Sequence, residues 1–263
     1  MIRSLWTAAS GMQGQQKSID VVANNLANVN TTGFKRSRAD FQDLIYQNLK
    51  TTGSPATNTT QVPTGIQIGL GSRLASVTKI FTPGDFTQTG NELDIAIEGD
   101  GFFQITLPDG TPGYSKSGAF KLDSNRQIVT ADGNPLDPPI VTLPATTKIN
   151  IGSDGIVSVQ VAGQNATTQV GNIQLATFAN PSGLSSQGKN IYLPTDASGT
   201  ATTGLTPGTT GTGTISQGIL EMSNVNVAEE MVNMIIGQRA YEINSKAVTA
   251  SDEMLQTANN LKR

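Results

Sequence analysis

The stretch that decides the fold lies near the C-terminus, where residues 227–261 read VAEEMVNMIIGQRAYEINSKAVTASDEMLQTANNL. One row of mostly apolar residues recurs at alternating steps of four and three, the spacing of a heptad seam: Ile236, Ala240, Ile243, Ala247, Ala250, Met254, Thr257 and Leu261. A second apolar stripe lies beside it and consists of Met231, Met234, Tyr241, Val248 and Leu255. The pattern predicts one helix over residues 227–261 with two faces to bury.

The start of this predicted helix carries a capping box. Asn226 stands at the N-cap position and Glu229 follows three residues later, so that both side chains can bond backbone N–H groups of the first turn. Lys262 and Arg263 follow the other end, where the helix dipole favours cations. We therefore expect the helix to begin at residue 227.

A second helix is predicted over residues 2–29. Its seam alternates steps of three and four and consists of Ile2, Leu5, Ala9, Met12, Gln16, Ile19, Ala23 and Leu26. Gly11 and Gly14 each cost a helix roughly 1 kcal/mol relative to Ala, so we expect this helix to be marginal alone and to be ordered by neighbouring chains. The alternative is that both helices pack on a globular core as ordinary amphipathic helices.

The first helix is predicted to continue through Asn28 and to end in the polar segment 30–33. Gly33 suits the left-handed backbone conformation that often ends a helix. Lys35, Arg36 and Arg38 are expected near the negative end of the helix dipole. We interpret this segment as a junction between the helix and the following arm, and as an assembly surface rather than a ligand site.

Between the two helices the sequence is typical of β structure. Strands are predicted around residues 93–99, 101–107, 118–122, 127–130, 155–161 and 171–178, with Asp-Gly pairs at 100, 109, 132 and 154 between them. Two Thr-rich segments are interpreted differently: about 47–65 as an extended arm, and 195–214 as an exposed loop. The fold class is therefore α+β. Helical segments cover 1–30 and 225–263, a linker and arm region covers 31–90 and 205–224, and a central all-β domain covers 91–204.

Composition argues against most enzymatic chemistry. The 263 residues include no Cys and no His, only 14% are charged, and the net charge is -3. Thiol nucleophiles, disulfides and the commonest zinc ligands are therefore absent, and no basic patch suggests nucleic-acid binding. Ser76–Lys79 match the S-x-x-K pattern of β-lactamase-type serine enzymes, but the accompanying S-D-N and K-T-G motifs do not go with it. We expect no catalytic residue, no cofactor, no metal site and no small-molecule substrate, hence not an enzyme.

Targeting signals are also sparse in the sequence. The apolar run at the N-terminus is too short for the ~7–15 residue core of a cleaved signal peptide. No window approaches the ~20 apolar residues of a membrane-spanning helix. We expect a protein that is soluble, or that is exported by a route without a cleaved signal.

Three segments resemble the signatures of the bacterial flagellar rod and hook family: ANNLANVNTTGFKR at 23–36, GDGFFQI at 99–105 and SNVNVAEEMVNMIIGQRAYEINSKAV at 223–248. They occur in the right order, and the resemblance covers essentially the whole chain. It implies a structural axial subunit of the flagellar basal body, spanning the periplasm to the outer membrane. It also implies export through the flagellar type III apparatus without a cleaved signal. The terminal helices are then expected to pair as a coiled-coil-like inner domain around an export channel, with the β domain outside.

The resemblance implies partners as well. We expect self-association into a helical filament, together with contacts to proximal rod and hook proteins, to the surrounding outer-membrane and peptidoglycan ring proteins, and to the export apparatus. The seams supply the candidate subunit-interface residues: Leu5, Trp6, Met12, Ile19, Asn25, Leu26, Asn28, Met231, Ile235, Tyr241, Ile243, Met254 and Leu255.

Two alternatives stay open from the sequence. The length and the one compact β region favour a torque-transmitting subunit of the distal part of the rod, and a subunit of the proximal rod is the nearest rival. From another class, a periplasmic or secreted β-rich protein that binds or acts on carbohydrate could carry helices that merely clasp it. That alternative predicts a monodisperse monomer with a ligand cleft, whereas an axial subunit predicts concentration-dependent filaments.

Overall fold

The computed structural model describes residues 2–51, 64–144, 146–163 and 166–260. The chain divides into two compact units. The helical unit comprises Met1–Ala27, Ser37–Thr78 and Asn226–Arg263, and the β unit comprises Asn28–Arg36 and Lys79–Val225. The fold is α+β, as predicted, with a long helix near each end of the chain.

The described residues of the helical unit form two helices and two small sheets. Its elements are α1 (Ile2–Ala27), β1 (Ser37–Asp43), β2 (Tyr46–Lys50), β3 (Ile66–Gly69), β4 (Ser72–Lys79) and α2 (Val227–Asn260). Strand β1 pairs with β4, and β2 pairs antiparallel with β3. The two ends of the expected arm therefore form a β-ribbon. Its middle, residues 52–63, lies outside the described residues, as does Leu261 of the predicted helical seam.

The predicted start of α2 is confirmed. The Asn226 side-chain oxygen accepts hydrogen bonds from the backbone N–H groups of Ala228 (3.0 Å) and Glu229 (3.3 Å), which satisfies donors that a helix N-terminus leaves without partners. Within the part of the chain that the structure describes, neither helix combines the length and the apolar character that crossing a membrane requires.

The predicted end of α1 is wrong by two residues, because the helix stops at Ala27 and Asn28 lies outside it. The Thr31 N–H donates to the Asn28 carbonyl at 3.1 Å, and the Thr31 hydroxyl donates to the Asn28 side-chain oxygen at 3.2 Å. Asn and Thr side chains offer the backbone local partners that compete with the helix. A turn therefore replaces the last predicted helical turn.

Among the described residues, the β unit contains fifteen strands. They are β5 (Phe86–Gln88), β6 (Ile95–Glu98), β7 (Phe102–Thr106), β8 (Pro112–Ser115), β9 (Lys121–Leu122), β10 (Ile128–Val129), β11 (Thr146–Ile151), β12 (Ile156–Val161), β13 (Thr167–Asn172), β14 (Leu175–Thr177), β15 (Ser185–Gly188), β16 (Ile191–Leu193), β17 (Thr202–Leu205), β18 (Thr214–Gln217) and β19 (Ile219–Glu221). Six of them form the largest sheet, in the order β15-β16-β8-β7-β14-β17. A second sheet consists of β11, β12 and β13. The remaining strands form three pairs: β5 with β19, β6 with β18, and β9 with β10. Each of the six predicted strand regions contains an observed strand.

The two faces of β7 supply two hydrophobic clusters of the β unit. Phe103 and Ile105 belong to an aliphatic-rich core, whereas Phe102 belongs to an aromatic cluster with Tyr114 and Tyr192. Successive side chains of a strand point to opposite faces of the sheet, so the sequence GFFQI sends neighbouring rings into different clusters. Phe103 meets Phe120 edge-on in the first cluster, with ring centroids 5.2 Å apart.

The prediction of an exposed loop over residues 195–214 is wrong in its middle. Residues 202–205 form β17, which pairs with β14 through Leu205 opposite Leu175 and Thr202 opposite Thr177. The composition of this segment is of low complexity and suggests a loop. However, Thr has a high β propensity, and the edge of the large sheet provides backbone hydrogen-bond partners for the segment. Tertiary pairing, which composition does not reveal, decides the local structure here.

Candidate functional site

Small and polar side chains make several of the contacts between the two long helices. These contacts pair Ser4 with Ser251 (hydroxyls 3.2 Å apart), Gly11 with Asn244, and Asn25 with Glu230 (3.3 Å). From one contact to the next, the residue number rises on α1 and falls on α2, so the two helices run antiparallel. The buried residues of α2 are Glu230, Gly237 and Ser251, which stand at heptad spacing with Asn244.

Two glycines set how closely the helices approach. A Cβ added to Gly11 would lie 3.0 Å from the Asn244 side-chain nitrogen, and one added to Gly237 would lie 3.0 Å from Cγ1 of Ile19. Such separations are tighter than ordinary van der Waals contact. Packing therefore explains why glycine stands at position 11 despite its low helix propensity: the facing side chain of Asn244 lies against the place where a methyl group would be.

A buried hydrogen-bond cluster ties α1, α2 and β1 together inside the helical unit. The Asn25 side chain, only 1% exposed, donates to the Ser37 carbonyl (2.8 Å) and to Glu230 (3.3 Å), and it accepts from the Ser37 N–H at 2.9 Å. Asn25 was predicted as a contact between subunits. In the structure its polar atoms are used within one chain, where they satisfy buried backbone groups.

Many of the large apolar residues of α2 are exposed, although Met234, Val248 and Leu255 are half-buried. Five of the six predicted interface residues on this helix are exposed large hydrophobic residues: Met231, Ile235, Tyr241, Ile243 and Met254. Val227, Val232 and Ile236 are exposed as well, and Ile243 keeps 66% of its surface accessible. On α1, Trp6 is 72% exposed. The remaining predicted residues are partly exposed: Leu5, Met12, Ile19, Leu26, Asn28 and Leu255.

The two apolar stripes of α2 differ in burial. Glu230, Gly237, Asn244 and Ser251, which contact α1, belong to neither stripe. In the second stripe Met234, Val248 and Leu255 are half-buried, whereas the large residues of the first stripe, Ile236, Ile243 and Met254, are exposed. A heptad pattern identifies a face that needs a partner, but it does not identify which partner takes it.

The segment after α1 is held by a buried ion pair that the sequence did not reveal. Lys35 is fully buried, and its ammonium donates to Glu221 (2.5 Å) and to the Thr82 carbonyl (2.7 Å). The Gly33 N–H donates to the Glu221 carbonyl at 2.8 Å, and the Arg36 N–H donates to the Asn224 side chain at 2.8 Å. Lys35 therefore anchors the segment within the β unit instead of serving the helix dipole.

Gly33 adopts the left-handed conformation that was predicted, with φ of +69°. It lies six residues beyond the end of α1, so it is not the cap of that helix. A Cβ at this position would come within 2.7 Å of the Ser117 backbone nitrogen. Two constraints therefore select glycine here: the positive φ and the close approach of another backbone.

In residues 2–51, 64–144, 146–163 and 166–260, no group of three or more acidic side chains is placed to hold a metal ion. The buried side chains of Asn25 and Lys35 bond to backbone carbonyls and to Glu230 and Glu221, respectively. The second carboxylate oxygen of Glu221 is buried and makes no hydrogen bond.

Comparison with known proteins identifies the family. Three family models match in chain order: "Flagella basal body rod protein" at residues 5–35, "Flagellar hook protein FlgE/F/G D1 domain" at 96–159 and "Flagellar basal body rod FlgEFG protein C-terminal" at 216–261. The chain is 52% identical over 266 residues to the flagellar basal-body rod protein FlgG of Borreliella burgdorferi, and the match covers 100% of both chains.

Other relatives extend the same similarity. FlgG of Buchnera aphidicola from Schizaphis graminum is 49% identical over 261 residues, covering 99% of this chain and 100% of that protein. FlgG of Bacillus subtilis is 43% identical over 267 residues, again with 100% of both chains covered. With full-length identity at this level and three ordered family matches, the chain belongs to the family of bacterial flagellar basal-body rod and hook proteins.

Proposed function

We propose that the chain is a structural axial subunit of the flagellar basal body that polymerises into the distal rod and transmits torque to the hook. Relatives named basal-body rod proteins match it over their full length, and a structural family supports a role other than catalysis. Family membership favours this function over the carbohydrate-binding alternative. The match over the whole length to FlgG supports the distal rod over the proximal rod.

The observation that carries the proposal is the exposed apolar row of α2. Met231, Ile235, Ile243 and Met254 each leave half or more of their surface accessible. Large contiguous apolar patches on soluble proteins mark interaction sites, because burying them in a partner is the main favourable term in association. The polar seam between α1 and α2 leaves this row free for a second copy.

Neighbouring copies would bury this row through contacts that do not close into a ring. A heterologous contact that does not close continues as a helical filament, which is the geometry of a drive shaft. We assign the contact to the seam residues predicted above, with Trp6 and the exposed residues of α2 as its apolar centre. Asn25 supports that surface from inside the chain.

The remaining partners follow from the same function. The terminal segments 1–30 and 225–263 would form the inner tube of the axial structure, the segments 31–90 and 205–224 its linker and arm, and residues 91–204 the β domain. Proximal rod and hook proteins would join the two ends of the filament, and ring proteins of the peptidoglycan layer and the outer membrane would surround it. The subunit would reach its site between periplasm and outer membrane through the flagellar export apparatus, without a cleaved signal.

The test introduces charge into the apolar row. The double variant Ile235→Asp/Ile243→Asp places two carboxylates where a neighbouring copy would exclude water, and Gln238→Asp adds one to an exposed polar position of the same helix as the control. Electron microscopy and sedimentation at increasing concentration should show filaments for the wild type and the control, and none for the double variant.

A motility assay completes the test. A strain that lacks the gene should retain the inner rings and lose hook and filament, and the control variant should restore swimming while the double variant does not. Normal swimming of the deletion strain would refute the function. Filaments and swimming with the double variant would refute the interface.

A further inference from the structure

A cavity lined by aromatic and polar residues opens in the β unit beside a buried lysine. Its volume is about 360 Å³, and its lining includes Phe81, Phe102 and Phe178 together with Thr177 and Lys116. Pockets that hold small molecules start near this volume. The rod function proposed above makes no use of this cavity.

The Lys116 ammonium has few partners for a buried cation. The residue is 4% exposed, and its Nζ donates one hydrogen bond, to the Gly99 carbonyl at 2.7 Å. It lies 5.9 Å from the centroid of the Phe102 ring, within reach of a cation–π contact. An ammonium has three N–H donors, so two of them lack an acceptor among the described residues.

Nearby carboxylates do not supply those acceptors. Glu221 raises the pKa of Lys116 through its charge, but one of its carboxylate oxygens accepts from Lys35, and the other is buried and makes no hydrogen bond. Asp100 lines the cavity too, yet this residue is exposed and its carboxylate is solvated. Burial outweighs both charges and lowers the pKa of Lys116 to about 8, and the Lys35 charge acts in the same direction. A buried cation without a hydrogen-bonded anion is costly, which makes the cavity receptive to one.

We propose that this cavity is a binding site for a small monocarboxylate with an aromatic body. The carboxylate accepts hydrogen bonds from the two free donors of Lys116, and the ring of the ligand lies against the edge-to-face cluster of Phe81, Phe102 and Phe178. Asp100 at the rim repels a second negative charge, which favours a monoanion over a dianion.

Benzoate is the probe, and benzamide is its neutral isostere. Calorimetric titration of the full chain should show saturable binding of benzoate, and benzamide should bind at least about tenfold more weakly because it cannot form the charge-assisted hydrogen bonds. Lys116→Met keeps the apolar stem and should weaken benzoate about tenfold or more. Asp100→Asn should strengthen it, and Lys121→Met, at an exposed lysine of the same unit, should leave it unchanged.

The wild type alone provides a test that does not depend on the folding of a variant. Benzoate affinity should fall by up to tenfold per pH unit above about pH 8, where Lys116 loses its proton, and binding there should take up a proton from the buffer. Absence of saturable benzoate binding overturns the proposal. Equally strong binding of benzamide and benzoate overturns it as well. So does a benzoate affinity that stays the same between pH 7 and pH 10, across the pKa of Lys116.

Discussion

The side chain of Asn244 packs directly against Gly11, with its nitrogen 3.0 Å from the position that a Cβ on residue 11 would occupy. This contact joins the middle of α1 to the middle of α2. Ile235, Ile243 and Met254 of α2 stay exposed in this arrangement. The separation of the two helices at this point therefore depends on the pair of Gly11 and Asn244.

A large side chain at residue 11 should force the helices apart. Gly11→Leu is expected to lower the free energy of unfolding of the helical unit by about 1–3 kcal/mol, the usual cost of overpacking. Far-ultraviolet circular dichroism during urea unfolding measures the loss. Asn244→Ala in the same chain should recover part of it, because the alanine vacates the space that leucine needs, and a fully additive double variant would contradict the contact.

Breaking the buried ion pair should destabilise the β unit strongly. Lys35→Met leaves Glu221 as a buried, unpaired carboxylate, so we expect a loss of about 3–5 kcal/mol in unfolding free energy. Lys17→Met, which breaks an exposed pair with Asp20, should cost about 0–1 kcal/mol. Near-ultraviolet circular dichroism reports on the buried Tyr114 and Tyr192 of that unit. Equal small losses for both variants would show that the buried pair does not anchor the segment.

Gly33 and Gly110 form a matched pair of substitution sites. Both have positive φ, +69° and +81°, but a Cβ at Gly33 would meet the Lys116–Ser117 backbone, whereas nothing lies within 4 Å of one at Gly110. Gly110→Ala should cost about 1 kcal/mol for the left-handed conformation alone. Gly33→Ala should cost clearly more, because backbone atoms must also move. Thermal unfolding of the two variants compares the costs, and equal values would contradict the close approach.

Stability of the β unit should depend on pH through Lys116. Burial lowers the pKa of this lysine from 10.5 to about 8, so the unfolded chain binds more protons than the folded chain across that interval. The free energy of unfolding should therefore rise with pH from about 8 to 10.5, by up to about 3 kcal/mol from this group. The variant Lys116→Met should lack this rise in the free energy of unfolding. Urea unfolding of the wild type and the variant at several pH values measures it.

Tyr192 should act in the opposite direction at higher pH. Burial, with the charge of Glu221, raises the pKa of its hydroxyl from 10.0 to about 12, so the folded chain keeps a proton that the unfolded chain loses. Stability should fall as pH rises from 10 towards 12. Tyr192→Phe removes this fall, and it should leave the rise due to Lys116 in place.

Local signals in the sequence account for the elements that were predicted well. Asn226 caps α2 with its own side chain, and the alternating apolar residues of β6 and β7 define strands without help from distant residues. The end of α1 was misplaced because Asn28 forms a turn with Thr31 that competes with the helix. Strand β17 was missed because its partner, β14, lies far away in sequence and its own composition resembles a loop.

The candidate site divides in the same way. The apolar rows of α2 could be recognised from spacing, and so could the need of that helix for partners on two faces. The contacts between the two helices, the burial of Asn25 and the ion pair of Lys35 with Glu221 could not, because each includes a contact between residues that lie 186 or more positions apart in the chain.

The sequence by itself determined the α+β class, the helix near each end of the chain, the apolar stripes and the absence of thiol and imidazole chemistry. These features depend on residue type and on short-range periodicity, and both can be seen in the sequence without knowledge of tertiary contacts. Only the tertiary structure decided which face of α2 meets α1, since Gly11 against Asn244 allows a close polar contact and leaves Ile243 in water. It also decided where Lys35 and Lys116 are buried, because burial depends on what the rest of the chain packs around a side chain.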